Sequence, residues 1–200
     1  MIAILDYGFG NLRSVQRAAQ RVGGEPAITR DPAEVAGADA LIVPGVGAFG
    51  ACVAGLRSLG LDTVIRDFLA TRRPLLGVCL GMQVLFEHGD EGDAPGLGLL
   101  RGEVRRLPAG LTIPHMGWNE VAWTGDHPLV AGIPSGTRFY FVHSYVCDAE
   151  PGVVAGETDY GGPFAAAVAH ESLFATQFHP EKSGDAGLEI YRNLVKEAAA

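Results

Sequence analysis

Cysteine is scarce in this 200-residue chain, and so are aromatic side chains and positive charge. Its three cysteines, Cys52, Cys79 and Cys147, are an odd number with no C-x-x-C pair. That excludes a disulfide framework and a cysteine-based zinc site, and leaves at least one thiol free. Fifteen basic residues against 23 acidic ones give a net charge of −8, and basic residues cluster only in short pairs such as Arg72-Arg73 and Arg105-Arg106. A nucleic-acid partner is not expected. No apolar run reaches the roughly 20 residues that span a bilayer, and the opening MIAILDYG has neither the charged region nor the cleavage site of a secretory leader. The chain is expected in the cytoplasm, away from membranes. No histidine pair stands at metal-ligand spacing with a supporting cysteine or carboxylate, so neither a metal nor a cofactor is expected.

What is present is enough for one core. Hydrophobic residues make up 48% of the chain, no stretch reads as a linker, and one domain over 1–200 is expected. Short apolar runs at 2–5, 26–29, 40–43 and 75–78 alternate with helical segments from Asn11 as N-cap to about 22, at 51–59 and at 61–71. A further helix follows Cys79, with Met82, Val84, Leu85 and Phe86. This alternation predicts an α/β fold: a mostly parallel central sheet with helices on both faces. After the polar loop GDEGDAPGLG the segments turn strand-like, at 100–107, 118–123, 139–146, 153–156, 165–169 and 173–178, and these should add antiparallel strands. A last helix over 186–197 carries Leu188, Tyr191, Leu194 and Val195 on one face.

The stretch PLLGVCLGMQVLFE, 74–87, holds the candidate nucleophile. Gly77-Val78-Cys79-Leu80-Gly81 is the cysteine counterpart of the G-x-S-x-G elbow, in which flanking glycines let backbone pass close beneath an outward-pointing nucleophile. Downstream, Phe178-His179-Pro180-Glu181 ends a strand, and Pro180 biases His179 toward extended backbone. Residues two apart then share a side, so Glu181 can orient His179 while the other ring nitrogen faces a thiol, the logic of a Cys-His-Glu triad. The glycine-rich Pro44-Gly45-Val46-Gly47 loop can offer oxyanion donors beside the N–H of Leu80; it lacks the Lys-Ser/Thr ending of a phosphate loop. His88 reads as a solvated helix end and His127 and His170 as surface residues, whereas His115 and His143 lie in aromatic-rich segments. Without a partner test, a non-catalytic binding subunit remains the rival class.

With GxCxGxQ at 77–83 and HPE at 179–181, the chain resembles the class I (triad) glutamine amidotransferases, a flavodoxin-like fold. IAILDYGFGNLRSV, PGVGAFG at 44, HMGWN at 115 and FYFVHSY at 139 are similar to one branch, the glutaminase subunits of imidazole glycerol phosphate synthase; PGVG rather than PGG argues against other branches, such as pyridoxal phosphate synthase glutaminases. The resemblance implies hydrolysis of L-glutamine through a Cys79 thioester, with His179 and Glu181 completing the triad. Leu80 and, after loop rearrangement, Val46 would meet the oxyanion. Gln83, His143, Ser144 and Tyr145 would contact glutamine alongside Gly45 and Gly47, and an acidic residue of the loop after Gly89, Glu91 in preference to Asp90, would hold its ammonium. It also implies a heterodimer with a (β/α)8 barrel cyclase that receives the ammonia, bordered by Trp118, Asn119, Tyr140 and Lys182.

Overall fold

Apolar residues on both faces of the first strands require a sheet covered on two sides. In β1 (Ile2–Leu5), Ala3 and Leu5 enter one core and Ile2 and Ile4 the other. The structure, a computed structural model, describes residues 1–200. It continues with α1 (Leu12–Arg21), β2 (Pro26–Thr29), α2 (Pro32–Ala36), β3 (Ala40–Gly45), α3 (Phe49–Ser58), α4 (Leu61–Ala70), β4 (Leu75–Cys79) and α5 (Leu80–Gln83). β3 and β4 repeat the division, with Leu41, Val43 and Leu75 in the first core and Ala40, Ile42, Leu76 and Val78 in the second. Val53, Leu56, Ile65 and Phe68 of α3 and α4 close the first; Val15, Ala18 and Ala19 of α1 close the second.

The second half runs β5 (His88–Gly89), β6 (Ala94–Pro95), β7 (Gly102–Arg106), β8 (His115–Trp123), β9 (Thr137–His143), β10 (Tyr145–Ala149), β11 (Val154–Asp159), β12 (Pro163–His170), β13 (Leu173–Thr176) and α6 (Gly184–Glu197). Nine strands form one sheet in the order β2-β1-β3-β4-β13-β12-β11-β8-β9, and four form a second, β10-β7-β5-β6. From β2 to β13 the large sheet is parallel; beyond β13 it is antiparallel. This is the α/β class expected, with helices on both faces and antiparallel strands added by the C-terminal half. No helix is long and apolar enough to cross a membrane.

Several local expectations need correction. The segment 139–146 is not one strand: Ser144 divides it, and β9 and β10 belong to different sheets. The helix after Cys79 is a single turn, so Val84, Leu85 and Phe86 are core residues beyond its end. The short α2 went unexpected, although Asp31-Pro32 announces it: Asp31 Oδ1 accepts from the Ala33 N–H at 2.8 Å, and proline suits the first helical position. Asn11 occupies the cap position of α1, yet its side chain makes no capping bond. His88 lies in β5 rather than at a helix end, with Nε2 2.9 Å from Asp93. His127 is not a plain surface residue; it stacks on Phe174 with ring centroids 4.7 Å apart.

Candidate active site

The elbow is made by close backbone approach. Cys79 ends β4 with φ 55° and ψ −111°, a conformation that L side chains adopt only under constraint. A Cβ on Gly81 would lie 1.8 Å from the Val43 carbonyl oxygen, and one on Gly77 would meet both Ala175 and Gly81 at 2.9 Å. Only glycine lets the turn pass this close against the backbones of β3 and β4 and present Cys79. The Cys79 sulfur lies 3.7 Å from the Gln177 Nε2 donor and 4.0 Å from the Val142 carbonyl.

His179 arrives from the end of β13 on extended backbone, as Pro180 dictates. Glu181 reaches it across a 3-10 turn over Pro180–Lys182, not along a strand, and its Oε1 accepts from Nδ1 at 2.8 Å. Both side chains are buried. Burial opposes the imidazolium, but the neighbouring Cys79 sulfur and Glu181 outweigh it and raise the pKa of His179 to about 10. Its Nε2 has no hydrogen-bond partner and is the nitrogen left for the thiol side. The backbone of His179 is stitched to β9: its N–H donates to the Tyr140 carbonyl at 2.9 Å, while the Ser183 hydroxyl donates to the His179 carbonyl and accepts from the Tyr140 N–H.

A cavity of about 340 Å³ opens over Cys79 and His179 and is lined by Val46, Gly47, Leu80, Gln83, Glu91, Pro114, Val142, His143, Ser144, Tyr145 and Lys182. A larger hollow of about 760 Å³, between Trp123 and Ser135, contains none of these groups. The cavity thus gathers Cys79 and His179, with Glu181 behind His179, and all but one of the residues the sequence assigned to oxyanion or substrate contact. Gly45 is the exception: it pairs with Cys79 in register but packs on the elbow backbone, where a Cβ would meet the Gly81 nitrogen at 2.5 Å. Glu91 and Asp90 are distinguished by their partners. Asp90 Oδ2 accepts from the Arg106 N–H, turned toward β7, whereas Glu91 stands at the cavity and uses only Oε2, on the Phe49 N–H at 2.7 Å.

The walls are cross-braced. Gln83 donates from Nε2 to the Tyr145 carbonyl at 3.0 Å and to Gln177 Oε1 at 2.9 Å. Gln177, fully buried, therefore links Gln83 to the Cys79 sulfur. Sequence reasoning passed it over, although a glutamine between an apolar strand and His179 was the available signal. His143 has both ring nitrogens occupied: Nδ1 donates to the Tyr145 carbonyl and Nε2 accepts from His115 Nδ1, each at 2.9 Å. Burial chiefly, with the charges of His115 and His179, depresses His143 to about 3, so this pair is neutral and its ring nitrogens are not free for a ligand.

The loop over the cavity is held from below. The Tyr7 hydroxyl donates to the Pro44 carbonyl at 2.6 Å, and the Cys52 thiol, pushed up to about 12 by burial, approaches the Val46 carbonyl at 3.6 Å. Val46 itself is 41% exposed. A surface patch rich in apolar side chains meets the cavity at Lys182. Trp118 is 54% exposed and pairs edge-on with Tyr140 at 6.2 Å, Lys182 Nζ sits 5.8 Å over the Tyr140 ring, and Met116, 62% exposed, was not foreseen. Asn119 does not join them; its side chain turns to the Asp159 carbonyl at 2.8 Å and to His115.

The comparisons agree with this geometry. The family model "Glutamine amidotransferase class-I" matches residues 3–198. The "Imidazole glycerol phosphate synthase subunit HisH" of Dehalococcoides mccartyi is 51% identical over 200 residues, covering 99% of this chain and 98% of that one. The protein of the same name from Rhodopirellula baltica is 54% identical over 198 residues, covering 97% and 96%. Among solved structures, a glutamine amidotransferase superposes with TM-score 0.78 at 23% identity over 100% of this chain and 99% of the other, and PurLQS from Thermotoga maritima with TM-score 0.76 at 19% identity over 98% and 97%. These two show the fold alone. The chain belongs to the class-I glutamine amidotransferase family and, within it, to the HisH subunits of imidazole glycerol phosphate synthase.

Proposed function

We propose that this chain, acting as one cytoplasmic domain, is the glutaminase subunit that supplies ammonia to a (β/α)8 barrel cyclase in histidine biosynthesis. The observation that carries the reading is an elbow cysteine facing a buried His179–Glu181 pair across a cavity that ends in a carboxylate. The Cys79 thiolate attacks the side-chain amide carbon of glutamine, and the N–H of Leu80, joined by that of Val46, receives the oxyanion. As the C–N bond breaks, the His179 imidazolium gives its proton to the departing ammonia. A glutamyl thioester remains. Water then attacks it, His179 takes the water's proton, and glutamate leaves with regeneration of the thiolate. No metal or cofactor is invoked.

Glu91 holds the substrate ammonium through the oxygen it does not give to Phe49. Glu91→Gln keeps the shape and removes the charge, so it should raise the KM for glutamine roughly 10- to 100-fold, as loss of a charge-assisted contact does. Steady-state kinetics in the complex check this, and an unchanged KM would move the ammonium site elsewhere.

Met116, Trp118, Tyr140 and Lys182 form the surface offered to the cyclase: an aromatic anchor with polar neighbours next to the cavity mouth suits an interface. Trp118→Ala should weaken association by about 2 kcal/mol, roughly 30-fold, measured by titration calorimetry against the cyclase. The function itself is tested by ammonia release from glutamine, by the chain alone and with the cyclase and its nucleotide ligand, with Cys79→Ala as the blank. Release that needs the liganded cyclase and vanishes in the blank supports the assignment; equal release without the cyclase refutes the coupling.

A further inference from the structure

Two deeply buried polar atoms beside the catalytic base have no hydrogen-bond partner, Oε2 of Glu181 and the hydroxyl of Tyr191. Buried polar atoms are nearly always served, so an acceptor and a donor left over in one region invite a pairing. Their elements are in contact. Gly187 of α6 packs on the turn that carries Glu181, where a Cβ would lie 1.9 Å from the Pro180 carbonyl oxygen. Tyr191 stands four residues further along α6, on the same face, and is fully buried. Burial first, and the nearby Glu181 charge second, raise the phenol well above its ordinary value, so it keeps its proton and is a donor.

We propose that Tyr191 is a positioning residue for Glu181, its hydroxyl serving Oε2 through one bound water, so that the carboxylate is held at both oxygens, by His179 on one and by Tyr191 on the other. The inference rests on the glutaminase reading of the triad and adds a fourth member to it. A carboxylate held at one oxygen only is free to turn about its terminal torsion, and a turned Glu181 no longer orients the His179 ring or supports its imidazolium. The hydroxyl therefore keeps the His179 ring aimed and its cation supported.

Tyr191→Phe keeps the ring and removes only the oxygen. In the complex with cyclase, kcat for glutamine hydrolysis should fall about fivefold, the equivalent of one net hydrogen bond, with KM unchanged. The titration of the His179 imidazole nitrogens in NMR, held high in part by Glu181, should move to lower pH, and the effect of Tyr191→Phe should vanish in a Glu181→Gln background. Full activity with a raised melting temperature would overturn the proposal, because it would mean that the hydroxyl is an unserved group whose removal relieves the fold. An undiminished effect in Glu181→Gln would also overturn it, placing the action of Tyr191 elsewhere. Failure of the wild-type complex to hydrolyse glutamine sinks the glutaminase reading, whereas an unchanged His179 titration in Tyr191→Phe sinks the pairing whatever the activity.

Discussion

His179→Asn should lower kcat for glutamine hydrolysis roughly 10²- to 10⁴-fold, the usual contribution of a positioned acid-base group. The two roles of the ring explain the size: ammonia leaves only with a proton, and the thioester is cleared only if water gives one up. Asn can fill the space and donate a hydrogen bond to Glu181, but it carries no proton between steps. The same variant has a signature in stability. His179 holds its proton to about 10 in the folded protein, against an ordinary value of 6.5. Because the folded state binds the proton more tightly than the unfolded chain, the stabilisation is complete below pH 6.5 and is lost as pH rises toward 10. Urea denaturation at several pH values should therefore show the advantage of wild type over His179→Asn shrinking between pH 6.5 and 10. A constant difference across that window would mean that the ring is not held as a cation.

Gly81→Ala should destabilise the protein by about 4 kcal/mol or more, or prevent folding, because overlap with backbone cannot be relieved by a rotamer. Its Cβ would lie 1.8 Å from the Val43 carbonyl oxygen and 2.8 Å from the carbonyl carbon, both in the centre of the parallel sheet. Any shift of β3 that accommodates it also moves the 44–48 loop. Gly125→Ala is the control: nothing lies within 4 Å of its added Cβ, and a surface change of that kind should stay within about 0.5 kcal/mol. Comparable denaturation midpoints for the two variants would refute the steric account of the elbow.

The parallel half of the fold was legible because its signals are local. Leu75 to Gly81 announces strand, turn and nucleophile within seven residues, and the alternation of Ile2, Ala3, Ile4 and Leu5 already implies two covered faces. The triad was legible for the same reason, since His179 and Glu181 stand two apart. The misses are long-range. Nothing near Ser144 in the sequence says that the chain leaves one sheet there for another, because the partners that decide it are Val121 to His115 for β9 and Gly102 to Arg106 for β10. Gln177 was hidden by the largely apolar strand it follows, and its partners Gln83 and Cys79 lie more than 90 residues away. Glu91 and Asp90 are adjacent and chemically alike; only the position of β7, which claims Asp90, separates them.

The shared carboxylate of Glu91 has a wider consequence. One of its oxygens receives the first N–H of α3, and α3 begins where the loop around Val46 ends. The other end of that loop is tethered at Pro44 by Tyr7. On the proposed reading, a substrate ammonium at the free oxygen would make the occupied one a weaker acceptor and slacken the tether at Phe49. The 44–48 loop would then sense substrate through a single side chain, with no motion of the sheet.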